Sequence, residues 1–260
     1  YAMELRAPRL IVMLTAGFSI SAAAIVFQTI IRNNIVTPCL LGMNSLYLLI
    51  HTAVVFFFGS GSQFATNPVM AFAVDIVLMG VIATFIYYSI FKKTGGNVLY
   101  VLLIGTVLST FFSSMQNSLT RIMDPNEYDA LLNTLVASFT NVNMACIIPG
   151  ILILVLIALW LRKDIAILDI ISLGRDQAIS LGVDYERVLR RLMVGVALYI
   201  AVATALVGPL SFLGLITANV ARQVFTTYRH TYLIAGAGFV GMLILCAGQF
   251  AVEHIMVYSV

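Results

Sequence analysis

Apolar runs of about 20 residues, separated by short polar breaks, repeat along almost the whole chain. A helix rises 1.5 Å per residue and a bilayer core is about 30 Å thick, so each run is long enough to cross as a helix. The pattern predicts spans over Leu10–Ile31, Leu41–Phe58, Pro68–Phe91, Val98–Gln116, Met144–Leu161, Val188–Val207 and Tyr232–Tyr258. GPLSFLGLITANVARQVF, starting at Gly208, is interrupted by glycine and proline and reads as a short or broken span ending near Arg222, which makes eight in all. A membrane β-barrel would instead alternate over segments of about 10 residues, and none do. The expectation is an all-α, polytopic membrane bundle forming one domain over residues 1–260, without tandem repeats. Gly17 with Ser21, and Ala237 with Gly241, each set small residues four apart, the spacing that lets two membrane helices approach closely. Asn117–Asn143 mixes charges with a short apolar stretch and reads as a partly helical excursion along the surface.

Composition agrees with the membrane reading. The 260 residues are 61% hydrophobic and 10% charged, with mean hydropathy +1.04, whereas soluble domains carry about 25% charged residues. A formal net charge of +3 is too small to imply a nucleic-acid partner, but the placement of the basic residues is informative. If helices alternate across the bilayer, one side holds Arg32, Lys92, Lys93, Arg162, Lys163, Arg175, Arg187, Arg190, Arg191, Arg222 and Arg229. The other holds Arg6, Arg9 and Arg121. Basic residues concentrate on the cytoplasmic side of membrane proteins, so the first side is cytoplasmic and both Tyr1 and Val260 lie outside. The chain opens on Tyr1 without an initiator methionine and shows no signal peptide, which fits a fragment.

The densest charge cluster is DIISLGRDQAISLGVDYERVLRRL, from Asp169 to Leu192. Arg175–Leu181 reads as two turns of helix between Gly174 and Gly182, and glycine suits the left-handed residue that follows a helix. Asp184 then serves as N-cap of a second helix, with Glu186 in its first turn facing the positive end of the dipole. From Val188 that helix turns apolar, so the elbow feeds directly into a span. It is either a solvated loop or a docking surface that offers Ala178, Ile179 and Leu181 to a partner. Two short helices with interleaved charges favour docking.

Catalytic chemistry finds no support. No phosphate-binding G-x-x-x-x-G-K-[ST] loop, H-E-x-x-H pair or nucleophile elbow occurs. Cys39, Cys146 and Cys246 have neither metal spacing nor an even count, and His51, His230 and His254 are dispersed, so no metal site and no catalysis are expected. Asp75 is an ionisable residue within a span, and such groups are candidates for ion or substrate contact; a cap, a polar bond between helices or a shallow position near the outer surface are the alternatives. Arg6 and Arg9, flanking Pro8, are either interfacial anchors or partners for carboxylates.

Taken together, four segments resemble the FecCD-type permeases, the transmembrane subunits of type II ABC importers for iron-siderophore complexes, haem and cobalamin. LRAPRL is similar to that family's L-R-x-P-R helix entry, and RNNIVTPCLLGMNS to its R-N-P-L-A-x-P-x-L-L-G segment. LGRDQAISLGVDYERVLRR is similar to its L-G-x-x-x-A-x-x-L-G-V coupling region, and GPLSFLGLITANVAR to G-P-I-x-F-V-G-L-x-x-P-H-x-x-R. The resemblance implies a ten-helix fold of which this chain holds the second to ninth helices, in the bacterial cytoplasmic membrane. It implies coupling to a cytoplasmic ABC ATPase dimer through helices at about 169–187, with Leu173, Gly174, Arg175, Asp176, Ala178, Leu181, Gly182, Val183 and Arg187 at the contact. ATP and Mg would sit on that partner, and this chain would bind no cofactor. Arg6 and Arg9 would meet an extracytoplasmic siderophore-binding protein, and a second permease subunit would complete a path in which Met43, Asn44 and Asp75 are candidates. Asn34, in place of the proline of R-N-P, and Ala218-Asn219, in place of Pro-His, put the local helix break in doubt and point to a catecholate-siderophore subgroup that often pairs two different permeases. The rival readings are an ion-coupled secondary transporter built on Asp75 and a membrane scaffold.

Overall fold

The computed structural model describes residues 2–94, 98–139, 143–252 and 254. These form eleven α-helices: α1 (Ala2–Ile31), α2 (Asn44–Phe58), α3 (Gln63–Thr66), α4 (Pro68–Thr94), α5 (Val98–Ile122), α6 (Pro125–Leu135), α7 (Met144–Ile171), α8 (Arg175–Ser180), α9 (Tyr185–Val207), α10 (Leu213–Val224) and α11 (His230–Ala251). A wide helical turn over Cys39–Met43 precedes α2, and no strand occurs among the described residues. Among the described residues seven helical segments are long and apolar enough to cross a membrane, α2 being counted together with the turn at Cys39–Met43. The eighth expected span is α10, whose 12 residues reach about 18 Å, little more than half of the core. The predicted extension of the last span to Tyr258 lies outside the described residues beyond Val252, His254 apart.

Helix α1 is the axle of the bundle. Nearly every side chain from Val12 to Ile31 is buried, against α7, α9, α10 and α11. Its polar residues survive there because they bond to their own helix: Ser19 donates to the Thr15 carbonyl (2.7 Å), Ser21 to Gly17 (2.6 Å) and Thr29 to Ile25 (2.8 Å). The two small-residue stripes read in the sequence meet each other. A Cβ on Gly17 would lie 2.9 Å from the Gly241 carbonyl carbon, so glycine on both helices permits a backbone contact that any side chain would obstruct.

After α1 the chain turns back into the protein. Arg32 takes φ +55°, the left-handed value that ends the helix, and Gly42 takes φ +102° against the backbone of Ser109. The returning strand of chain is held by its carbonyls. Asn34 accepts from the side chains of Gln28 (2.8 Å) and Asn219 (3.1 Å), and Leu41 accepts from the Tyr87 hydroxyl (2.9 Å). The span expected over Leu41–Phe58 is therefore broken at Gly42, and its regular helix starts at Asn44. The Ala218-Asn219 substitution leaves α10 unbroken: Ala218 packs in the core, and Asn219 bonds to the Leu215 carbonyl as well as to Asn34.

Helix α7 corrects the predicted end at Leu161. It runs a further ten residues to Ile171, straight through Arg162, Lys163 and Asp164. The reason is periodic: Leu161, Asp164, Leu168 and Ile171 are buried on one face, and Asp164 meets Arg191 of α9 at 3.6 Å. Residues 117–139 follow the prediction more closely. Helix α5 ends at Ile122, and α6 follows, capped by Asp124, whose side chain accepts from the Asn126 amide.

Candidate functional site

The elbow between α7 and α9 is built from two glycine turns and a short helix. Gly174 takes φ +109° and ψ 166°, a conformation open essentially only to glycine, and α8 begins at the next residue. At the far end of α8 the Gly182 amide donates to the Ile179 carbonyl and Val183 to Ala178, with Gly182 at φ +82°. This is the paired bonding that closes helices through a left-handed residue. Asp184 then caps α9, its carboxylate accepting from the Arg187 amide at 3.2 Å. Arg175 reaches Glu186 at 3.5 Å and Arg187 reaches Asp184 at 3.2 Å, but these pairs are half exposed and hold little energy in water.

Leu173, Arg175, Asp176, Gln177, Ile179 and Leu181 point outward, leaving apolar and charged groups side by side on one surface. Ala178 does not join them. The expectation that it is free for a partner is corrected: it is fully buried, because the fourth residue after Gly174 turns towards the bundle. Val183 is only partly exposed. Beneath the elbow lies a cavity of about 570 Å³ bordered by Arg32, Phe91, Lys92, Gly174, Tyr185 and Leu189. The elbow and the Lys92 turn are therefore at one end of the molecule, as the charge pattern requires.

Three contacts fasten this end to the spans. Asp164 of α7 meets Arg191 of α9, and Arg191 also lies over the Trp160 ring, 5.9 Å from its centre. Asp169 accepts from the backbone amide of His230 (2.9 Å) and pairs with its imidazole, tying α7 to the first turn of α11. The guanidinium of Arg32, at the end of α1, lies 2.9 Å from where a side chain on Gly174 would begin. The elbow is thus continuous with α7 and α9, and α7 is paired in turn with α9 and α11.

The other predicted site residues lie elsewhere. Arg6 is exposed and Arg9 half-buried, three residues apart at the opposite end of α1 from Arg32. Met43 and Asn44 were expected to border an open path; both are buried inside the subunit, and Asn44 donates to Ser211 at 3.0 Å. Asp75 is also buried, at 4% exposure, and its carboxylate lies 3.3 Å from His51 Nδ1, with Tyr47 stacked on the imidazole. Of the alternatives for Asp75, the geometry is that of a polar bond between α2 and α4. Among the described residues no cluster of three metal-ligating side chains occurs.

Sequence reading placed α5 as a span over Val98–Gln116 but did not single out its exposed face. It is the least buried of the spans, and its exposed face carries Thr106, Thr110, Ser114 and Ser118. Thr106, Thr110 and Ser118 return their hydroxyls to carbonyls of their own helix, at 2.8–2.9 Å. On the inner side Ser45 of α2 bridges Ser109 and Ser113 at 3.0 and 3.1 Å. A hydroxyl every fourth residue is readable in the sequence; only the fold shows that this stripe is uncovered.

The FecCD transport family profile matches residues 1–259. The petrobactin import system permease protein YclO of Bacillus subtilis is 37% identical over 259 residues, covering 100% of this chain and 82% of the relative. The petrobactin import system permease protein FatC of Bacillus anthracis is 32% identical, over 95% of this chain and 70% of its own. Ferric enterobactin transport system permease protein FepG of Escherichia coli is 25% identical over 97% of this chain and 74% of its own. Among solved structures, an inward-facing metal-chelate type ABC transporter superposes with TM-score 0.76 over 96% of this chain and 79% of that one, at 22% identity, which is a likeness of fold.

Proposed function

Because the chain belongs to the FecCD transport family, we propose that it is the membrane-spanning subunit of an ATP-driven importer for iron-siderophore complexes in the bacterial cytoplasmic membrane. The observation that carries the reading is the elbow: an exposed short helix between two glycine turns that joins α7 to α9, with α7 paired in turn to Arg191 of α9 and His230 of α11, in a sequence with no nucleotide-binding loop. A separate cytoplasmic ATPase dimer docks on Leu173, Arg175, Asp176, Leu181 and Arg187 and pushes α7 and α9 between two packings. Coupling of this kind requires that the partner contact the two states differently. A second permease faces the hydroxyl stripe of α5, and the chelate passes between the two. Arg6 and Arg9, at the far end, receive carboxylates of a siderophore-binding protein. The relatives named for petrobactin and ferric enterobactin support an iron chelate as cargo. The finer reading, a catecholate chelate, rests on Asn34 and Ala218-Asn219.

Uptake of radiolabelled ferric chelates into proteoliposomes holding the full-length permease and its partners tests this. Transport is expected to need ATP and the ATPase, to favour a catecholate over a hydroxamate complex, and to keep its ATP dependence in Asp75→Asn. Uptake driven by an ion gradient and abolished in Asp75→Asn overturns the importer reading and favours the secondary transporter; equal uptake of both chelates removes only the catecholate preference.

A further inference from the structure

A groove on the outer surface of the bundle, between α4 and α9, has a build that the transport reading does not use. Its walls are Ile76, Val77, Val81 and Phe85 of α4 and Val194 and Leu198 of α9, enclosing about 560 Å³. Gly80 makes the floor, since a Cβ there would lie 2.8 Å from Leu198 Cδ2 and the tip of that leucine would have to shift to admit it. Val77, Val81 and Phe85 are each 60% or more exposed, at membrane depth. At the cytoplasmic end the groove is closed by cationic and aromatic groups. Arg190 lies 4.9 Å from the centre of the Tyr88 ring and donates to its hydroxyl at 3.2 Å, which fixes the guanidinium over the mouth. Lys92 follows one turn beyond Tyr88 on the same face of α4. The contrast with its neighbour is informative. Arg191 turns inward to Asp164, whereas Arg190, among the described residues, has no carboxylate within ion-pair distance.

We propose that this groove is a binding site for one anionic phospholipid, its phosphate held by Arg190 and one acyl chain lying against Gly80. From Tyr88 to Ile76 the groove follows about 18 Å of helix, close to the roughly 15 Å depth of one leaflet's hydrocarbon. An apolar trough one leaflet deep, with positive charge only at the cytoplasmic headgroup level, matches a lipid in charge and in length. A protein surface seated there would have to leave Arg190 unpaired or bring its own acid. The exposed face of α5, where hydroxyls alternate with apolar groups, is the better surface for a second permease.

Native mass spectrometry of the full-length permease in detergent, with phosphatidylglycerol or phosphatidylcholine added, tests the site. The wild-type protein is expected to retain one phosphatidylglycerol in preference to phosphatidylcholine. Arg190→Gln should reduce that preference about fivefold, the loss expected for one cation at the membrane surface, and leave phosphatidylcholine retention unchanged. Val81→Trp alters an exposed position and should reduce retention of both lipids by filling the trough. Equal retention of the two lipids by the wild type, or an unchanged profile in Val81→Trp, overturns the proposal. So does a disulfide crosslink from Val81→Cys to a second permease subunit.

Discussion

Gly17 and Gly241 show what one hydrogen atom in place of a side chain decides. The obstacle facing a Cβ on Gly17 is the backbone of Gly241, not the flexible tip of a side chain, so neither helix can yield without moving as a whole. Overpacking of this kind costs about 1–3 kcal/mol. Gly17→Val is expected to lower the thermal midpoint of the detergent-solubilised protein by several degrees, and a similar substitution at Gly248, which has nothing within 4 Å, to leave it in place. An equal response at the two positions would contradict the close crossing. At this scale the sequence was legible for spacing and illegible for pairing. The four-residue repeats of small residues were visible, and so was Asp75 as a buried-charge problem, but that Asp75 would be met by His51, 24 positions away, came from the fold.

The elbow is the element on which the proposed coupling rests. Its helix boundaries followed from glycine, Asp184 and the switch to apolar residues at Val188, because capping and left-handed turns are local interactions. Gly174 and Gly182 nevertheless make different demands. Gly182 has a left-handed φ with open space around it, whereas Gly174 has an extended ψ and the Arg32 guanidinium beside it. Asparagine tolerates the left-handed region, so Gly182→Asn should retain most transport. Gly174→Asn should lose transport about tenfold or more, with ATP hydrolysis by the partner persisting, if the elbow couples the two as strain of 1–3 kcal/mol implies. The ratio of chelate imported to ATP hydrolysed measures this, and indistinguishable ratios for the two variants would dismiss a coupling role that depends on Gly174.

Across the whole molecule, charge and apolar surface are sorted by end and by face. The elbow, Lys92 and Arg190 mark one end, and Arg6 and Arg9 the other. Reversing Arg6 and Arg9 to glutamate is expected to weaken capture of the siderophore-binding protein, mostly through slower association, with the difference shrinking as salt rises above about 0.15 M. Surface-plasmon measurements at low and high salt check it; unchanged association at low salt would remove these residues from the interface. The sequence by itself determined the helical class, the gathering of basic residues at one end and the position of the elbow, because span length, basic-residue placement and helix caps act over tens of residues at most. Only the tertiary structure decided that α7 continues past Leu161, that Ala178 turns inward, that Met43 and Asn44 are interior, and that α5 and the α4–α9 groove remain uncovered. Burial is a relation between faces distant in the chain. In a molecule this uniformly apolar, hydrophobicity alone does not tell a face packed on protein from one left to lipid or to a partner.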